Sequence, residues 1–199
     1  MFLSKVSSKR TPVLFVHIPK TAGTSFRKSL QHEKNIIFDY GSGNPVTSKP
    51  IEKHIYEDKD FFSLKCYLQK KKFDFSGHFF LSKYSSFVFC HQLVSFVRNP
   101  LEQTVSHFNH MVKVNGYSES FEYFIESKQY INLQSKYLNG APISLLGFVG
   151  VTECYDTSID IFNNFFDLSF TINHKSAVEY FMATMLTVHL RKTKHFRIS

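Results

Sequence analysis

"VLFVHIPKTAGTSFRKSL", residues 13–30, passes from an unbroken apolar run through a loop of small residues into a basic helix. The run over 12–18 is continuous rather than alternating, the pattern of a parallel strand covered on both faces. Pro19 removes a ladder N–H and disfavours helical backbone at Ile18, so the strand ends there. A helix then opens at "TSFRKSLQ", with Thr24 or Ser25 as its N-cap. The loop carries its lysine before its only glycine, whereas an ATP-binding P-loop places the lysine after the glycines. Backbone N–H groups at such a helix start attract an anion. Ala22, Gly23, Thr24 and Ser25 are small enough to let one approach, the two hydroxyls add donors, and Lys20 adds a mobile charge. The loop therefore reads as a phosphate or sulfate cradle, with an ordinary strand-to-helix turn as the bland alternative.

Outward from this unit, strand and helix signals alternate. "NIIFDY" (35–40) is a short strand and 51–72 a mostly polar helical stretch. "FDFSGHFF" (73–80) is a strand entering a loop, and 86–100 holds one or two strands closed by Pro100. Pro100 suits the first turn of the helix that follows. Helices are expected at 119–128 and 131–138, a strand at 147–153, a capped helix at "DTSIDIFNNFF" and a last helix over 176–191. This alternation predicts an α/β, three-layer, P-loop-like fold with a mainly parallel central sheet flanked by helices. One domain spans 1–199, with a flexible 1–11 and a basic, atypical tail at 190–199.

The net charge of +8, from 24 Lys and Arg against 16 Asp and Glu, suits an anionic partner. Cys66, Cys90 and Cys154 are odd in number and far apart, which argues against a disulfide framework and for a reducing compartment. "MFLSKVSSKR" lacks the apolar stretch of a signal peptide, and no segment approaches a membrane-spanning length, so the expected location is cytoplasmic.

"HIPKTAGTS" (17–25) resembles the phosphosulfate loop of the sulfotransferases that use 3′-phosphoadenosine-5′-phosphosulfate (PAPS), and most resembles their carbohydrate and heparan-sulfate-type branch. The resemblance implies that Lys20 reaches the oxygen bridging phosphate and sulfonate while Gly23, Thr24 and Ser25 hold the 5′-phosphate, with Thr21 and Ala22 also among the cofactor-binding residues. "SFVRNPLEQTVSHF" (95–108) matches the family's second nucleotide motif, R-[ND]-P followed by a serine, and implies that Arg98 and Ser106 bind the 3′-phosphate. Arginine can fork onto a phosphate, and a crevice beyond strand C-termini is where such folds bind ligands. "FVGVTECYDTSIDIF" (148–162) resembles a later V-G-x-T-E segment, in which Glu153 orients cofactor-side groups or Asp156 and Thr157 cap a helix. The resemblance covers about residues 12–165 and departs at "MATMLTVHLRKTKHFRIS", where family members continue into a longer helical segment with acidic and tyrosine positions.

Sulfonate transfer needs in-line geometry, stabilisation of the leaving phosphate and a base for the acceptor proton. The candidate base is His78 in "FDFSGHFFL", because histidine titrates near neutrality and the G-H-[FV] segment resembles the family's source of its catalytic histidine. His17 is the rival, beside the loop but on a strand position that alternation buries. His107 and His110 lack a third metal ligand and are expected to face solvent or to pack, so no metal is implied. The leading reading is a PAPS-dependent sulfotransferase acting on a carbohydrate acceptor such as an oligosaccharide or polysaccharide, with no nucleic-acid partner. The rivals are a catalytically inactive relative that keeps PAPS or its product adenosine 3′,5′-bisphosphate, and a basic polyanion-binding module built on "QKKKF" and "RKTKHFR".

Overall fold

A computed structural model of the chain describes residues 12–33 and 35–166. The helix expected over 176–191, the segment 1–11 and the basic tail at 190–199 lie outside the described residues. Five strands, β1 (Leu14–Val16), β2 (Ile36–Asp39), β3 (Asp74–Gly77), β4 (Leu93–Val97) and β5 (Phe148–Val151), form one sheet in the order β2-β3-β1-β4-β5. Every neighbouring pair runs parallel. The helices are α1 (Gly23–Glu33), α2 (Lys49–Ile51), which continues into a π-helical stretch Glu52–Glu57, α3 (Phe61–Lys71), α4 (Pro100–Asn115), α5 (Phe121–Glu126), α6 (Leu133–Tyr137) and α7 (Tyr155–Phe166).

The unbroken apolar run of β1 is explained by cover on both faces. Leu14, Val16 and Ile18 join Ile51, Ile55, Leu64 and Leu68 from the α2–α3 side. Val13 and Phe15 join Phe26 and Leu30 of α1 and Ile159 and Phe162 of α7. The phenylalanine excess goes partly into this second layer, where the Phe26 ring meets Phe15, Phe162 and Phe96 at centroid distances of 4.7, 4.9 and 5.0 Å. The fold is thus the expected three-layer α/β arrangement.

Three local expectations are refined. Of the one or two strands expected over 86–100 one forms, β4, and the earlier part makes 3-10 turns at Ser85–Phe87 and Cys90–Gln92. Gln92 explains this: its Oε1 accepts from Phe89 N at 2.8 Å and its Nε2 donates to Pro12 O at 2.7 Å, so a side chain takes bonds that a strand would give to a ladder. The helical stretch 51–72 is broken at Lys59, which has a φ of 55°, and Asp60 caps α3 by accepting from Ser63 N at 2.9 Å. Helix α1 opens one residue before the expected caps. Ala22 O accepts from Ser25 N and Phe26 N at 3.1 and 3.3 Å, which leaves Thr24 and Ser25 in the first turn.

From β1 the chain crosses past β3 to reach β2, while β4 leads outward to β5 on the opposite side. The connections leaving β1 and β4 therefore run to opposite sides, and such a switch point is where open α/β sheets bind ligands. Side chains of the 92–103 segment also stitch β1 in place. Gln92 holds Pro12 O, Ser95 Oγ donates to Val16 O at 2.9 Å, and Gln103 Nε2 donates to Pro19 O at 3.0 Å.

Candidate active site

The loop after β1 folds tightly although it has little glycine. Lys20 and Ala22 adopt left-handed backbone, with φ of 68° and 60°, a region that costs a residue with a Cβ about 1–2 kcal/mol. Thr21 is fully buried and its hydroxyl donates to Ile18 O at 3.0 Å, so its side chain locks the loop and only its backbone is left for a ligand. Gly23 is set by packing: a Cβ there would lie 2.1 Å from His17 Cδ2. Beyond it, α1 begins with Thr24 exposed and Ser25 half-buried, beside the N–H groups of its first turn.

Arg98 follows β4 and its backbone is clamped on both sides. Its N–H donates to Gln134 Oε1 at 2.9 Å, and Gln134 Nε2 donates to Arg98 O at 2.8 Å. Asn99 caps α4, accepting from Leu101 N at 3.0 Å and more loosely from Glu102 N at 3.4 Å. Glu153 accepts from Asn99 N at 2.7 Å and Thr152 donates to Val97 O at 2.9 Å. The V-T-E segment after β5 is therefore a buttress for the Arg98–Pro100 turn, while Asp156 and Thr157 lie in the first turn of α7. The Arg98 guanidinium lies 3.4 Å from Glu102, itself half-exposed.

Along α4, Gln103, Ser106, His107 and His110 recur at helical spacing and share one face. Ser106 is buried there. His107 and His110 do not turn to solvent as a pair. His107 packs edge-on to Phe124 and Tyr130, each at 5.5 Å, and its pKa falls to about 4 through burial and the charges of His110, Lys20 and His78. Burial and the Lys20 charge likewise lower His110. Their spacing from Gln103, four and seven residues along the helix, is the signal that places both on this face.

His78 follows β3. Its Nδ1 lies 2.6 Å from His17 O, and since a carbonyl only accepts, Nδ1 carries the proton. In the neutral ring Nε2 is then the free lone pair. Burial lowers the His78 pKa, opposed by that backbone bond and helped by the Arg27 and His110 charges. The His17 ring lies 4.3 Å from His78, tilted by 32°, and is buried, with Nδ1 3.0 Å from Tyr40 Oη. Burial holds the His17 pKa well below its ordinary value, with the charges of His78, Arg27 and Lys20 acting in the same direction. Arg27 lies over the rings of Phe38 and Tyr40, at 5.4 and 5.7 Å, and among the described residues its buried Nε finds no acceptor.

These positions make a basic crevice. Burial lowers Lys20 below the ordinary lysine value, and the next contribution is the Arg98 charge, so cations from β1 and β4 face one another closely enough to repel. An anion between them would relieve that repulsion, which is what a phosphate-bearing ligand requires. No group of three His, Cys, Asp or Glu side chains among the described residues is arranged to hold a metal ion. No helix among them is long and apolar enough to cross a membrane.

The depressed histidines carry a stability consequence. The unfolded chain binds protons near pH 6.5, where folded His17, His78 and His107 still resist them. Their stabilising contribution is complete above pH 6.5 and is lost as pH falls through the lower folded values. The thermal unfolding midpoint of the ligand-free protein is expected to drop between pH 7.5 and 5; an unchanged or higher midpoint at pH 5 would contradict this.

No protein-family model matches the chain. No curated protein sequence matches it. Among solved structures, the chain is similar to mouse sulfotransferase SULT7A1 complexed with PAP, with a TM-score of 0.50 and 13% identity over 87% of this chain and 63% of that one. The chain thus spans just under two thirds of the mouse enzyme's length. It is also similar to a sulfotransferase from Alicyclobacillus acidocaldarius, with a TM-score of 0.46 and 14% identity over 79% of this chain and 81% of that one. At this identity the likeness is one of fold.

Proposed function

We propose that this chain transfers a sulfonate group from PAPS to a hydroxyl of a carbohydrate acceptor. The observation that carries the proposal is the convergence, at the β1–β4 crevice, of the Lys20 loop, the N-terminus of α1 and the clamped Arg98, beside a histidine whose Nε2 is left as a base. The fold likeness to a sulfotransferase complexed with PAP supports the choice of nucleotide. The residues present fit such a ligand, since the repelling pair Lys20 and Arg98 gains from an anion with more than one phosphate. When bound, PAPS supplies an activated sulfonate.

In this scheme the amides of 21–24 and the hydroxyls of Thr24 and Ser25 hold the 5′-phosphate, and Arg98 and Ser106 hold the 3′-phosphate. The Lys20 ammonium stabilises charge on the departing phosphate. His78 Nε2 takes the acceptor proton, while its Nδ1–H stays on His17 O and fixes the ring's orientation. His17 is thereby a positioning residue through its backbone carbonyl. The chemistry requires no metal.

Calorimetry with adenosine 3′,5′-bisphosphate tests the nucleotide half. Wild type is expected to bind, and Arg98→Ala to lose about 1.5–3 kcal/mol of affinity as one charged contact goes. Arg98→Ala binding as tightly as wild type, or no binding by either, would overturn the assignment.

A further inference from the structure

The surface beside His78 is aromatic, and it is made by two segments held together. His78 sits in a bend just after β3, and Phe80 is extended, at φ −72° and ψ 137°. Phe79 points into the core, its ring 5.0 Å from Phe75 and 4.8 Å from Tyr84. His78 and Phe80, on either side of it in the chain, are half-buried and exposed. Phe80 is 52% exposed, a large apolar ring left at the surface two residues from the candidate base.

Tyr137 of α6 completes this wall. Its ring stands 5.3 Å from Phe80 and 6.5 Å from His78, at interplanar angles of 76° and 89°. The two segments are fastened just beyond the rings, where Ser82 N donates to Asn139 O at 3.0 Å. Gly140 packs so closely there that a Cβ would lie 2.8 Å from the Ser82 backbone. The surface is thus fixed by backbone contact rather than assembled by a ligand.

We propose that Phe80 and Tyr137 form a stacking surface that seats the sugar ring bearing the hydroxyl delivered to His78. The inference rests on the sulfotransferase reading above. A hydroxyl within hydrogen-bond reach of His78 Nε2 brings the rest of its ring against the groups flanking His78. Those groups include the Tyr137 ring and, beyond it, the exposed Phe80. A pyranose matches them because one of its faces presents C–H groups to an aromatic ring while its hydroxyls stay at the rim. Phe80 and Tyr137 are specificity-determining residues on this account, and they take no part in proton transfer.

The chain has no tryptophan, so Phe80→Trp introduces a single fluorescent reporter at the proposed seat. Its emission is titrated, with adenosine 3′,5′-bisphosphate present, against hyaluronan hexasaccharide, maltohexaose and p-nitrophenol. A saturable shift with either saccharide supports the stacking surface. A shift with p-nitrophenol alone, or with none of the three, overturns it. In parallel, Phe80→Ala is expected to raise the acceptor KM about fivefold or more, with kcat and nucleotide affinity near wild type. An unchanged KM for an accepted saccharide overturns the proposal. The two readings fail separately: an emission shift of Phe80→Trp with saccharide but no sulfonate transfer keeps the seat and removes the reaction, whereas transfer with no shift keeps the reaction and removes the seat.

Discussion

His78→Ala is expected to lower turnover by a factor of about 10²–10⁴, the usual contribution of a positioned base, and to leave nucleotide affinity unchanged. The expectation follows from one bond. Because His17 O can only accept, the His78 proton sits on Nδ1 and Nε2 is poised to receive another. Burial lowers the pKa of that nitrogen below the ordinary histidine value, so the neutral, active form persists to lower pH than a free imidazole would allow. The acid limb of kcat should accordingly lie below pH 6.5 in the wild type. Steady-state kinetics with PAPS and a transferring saccharide check both statements. Turnover of His78→Ala within threefold of wild type would remove His78 as the base.

Lys20→Ala is expected to cost about 10²–10³ in kcat, comparable with removing one preorganised donor to a developing negative charge. It carries a second signature away from the chemistry. The Lys20 charge helps to depress His17, His107 and His110, so its removal should move all three titrations upward. NMR titration of the histidine rings in wild type and Lys20→Ala reads this directly. A slow variant with unmoved histidines would place the ammonium outside the crevice, and unchanged turnover would refute its role in charge stabilisation.

Much of the architecture was legible because it rests on short-range chemistry. The unbroken run before Pro19 marked β1 as a strand covered on both faces, and the R-N-P turn marked the end of β4 and the start of α4. The small residues after Pro19 marked the turn from strand into helix, and β1 and α1 flank it. What escaped depends on contacts across the chain. "SFVFC" has strand composition, yet the Gln92 amide captures backbone at Phe89 and Pro12 and leaves it in 3-10 turns. The Gln134 clamp reaches Arg98 from 36 residues away, and no local pattern announces it. His107 and His110 were expected to face solvent or to pack, and for His107 packing wins because Phe124 and Tyr130 cover it from other segments. Thr21 belonged to the cradle by position, and only the fold shows its hydroxyl spent on Ile18 O.

The three side chains that stitch β1 to the 92–103 segment make the crevice a ruler. Strand β1 is only three residues long, yet Gln92, Ser95 and Gln103 grip its backbone from Pro12 to Pro19. The backbone spacing between the turns that carry Lys20 and Arg98 is thereby set when the chain folds, before anything enters. Such a gauge measures the distance between a ligand's two charged ends rather than its total charge. If the crevice takes the proposed nucleotide, one phosphorylated at a single end would engage one jaw and leave the other facing water, so 5′-AMP is expected to bind more weakly than the 3′,5′-bisphosphate.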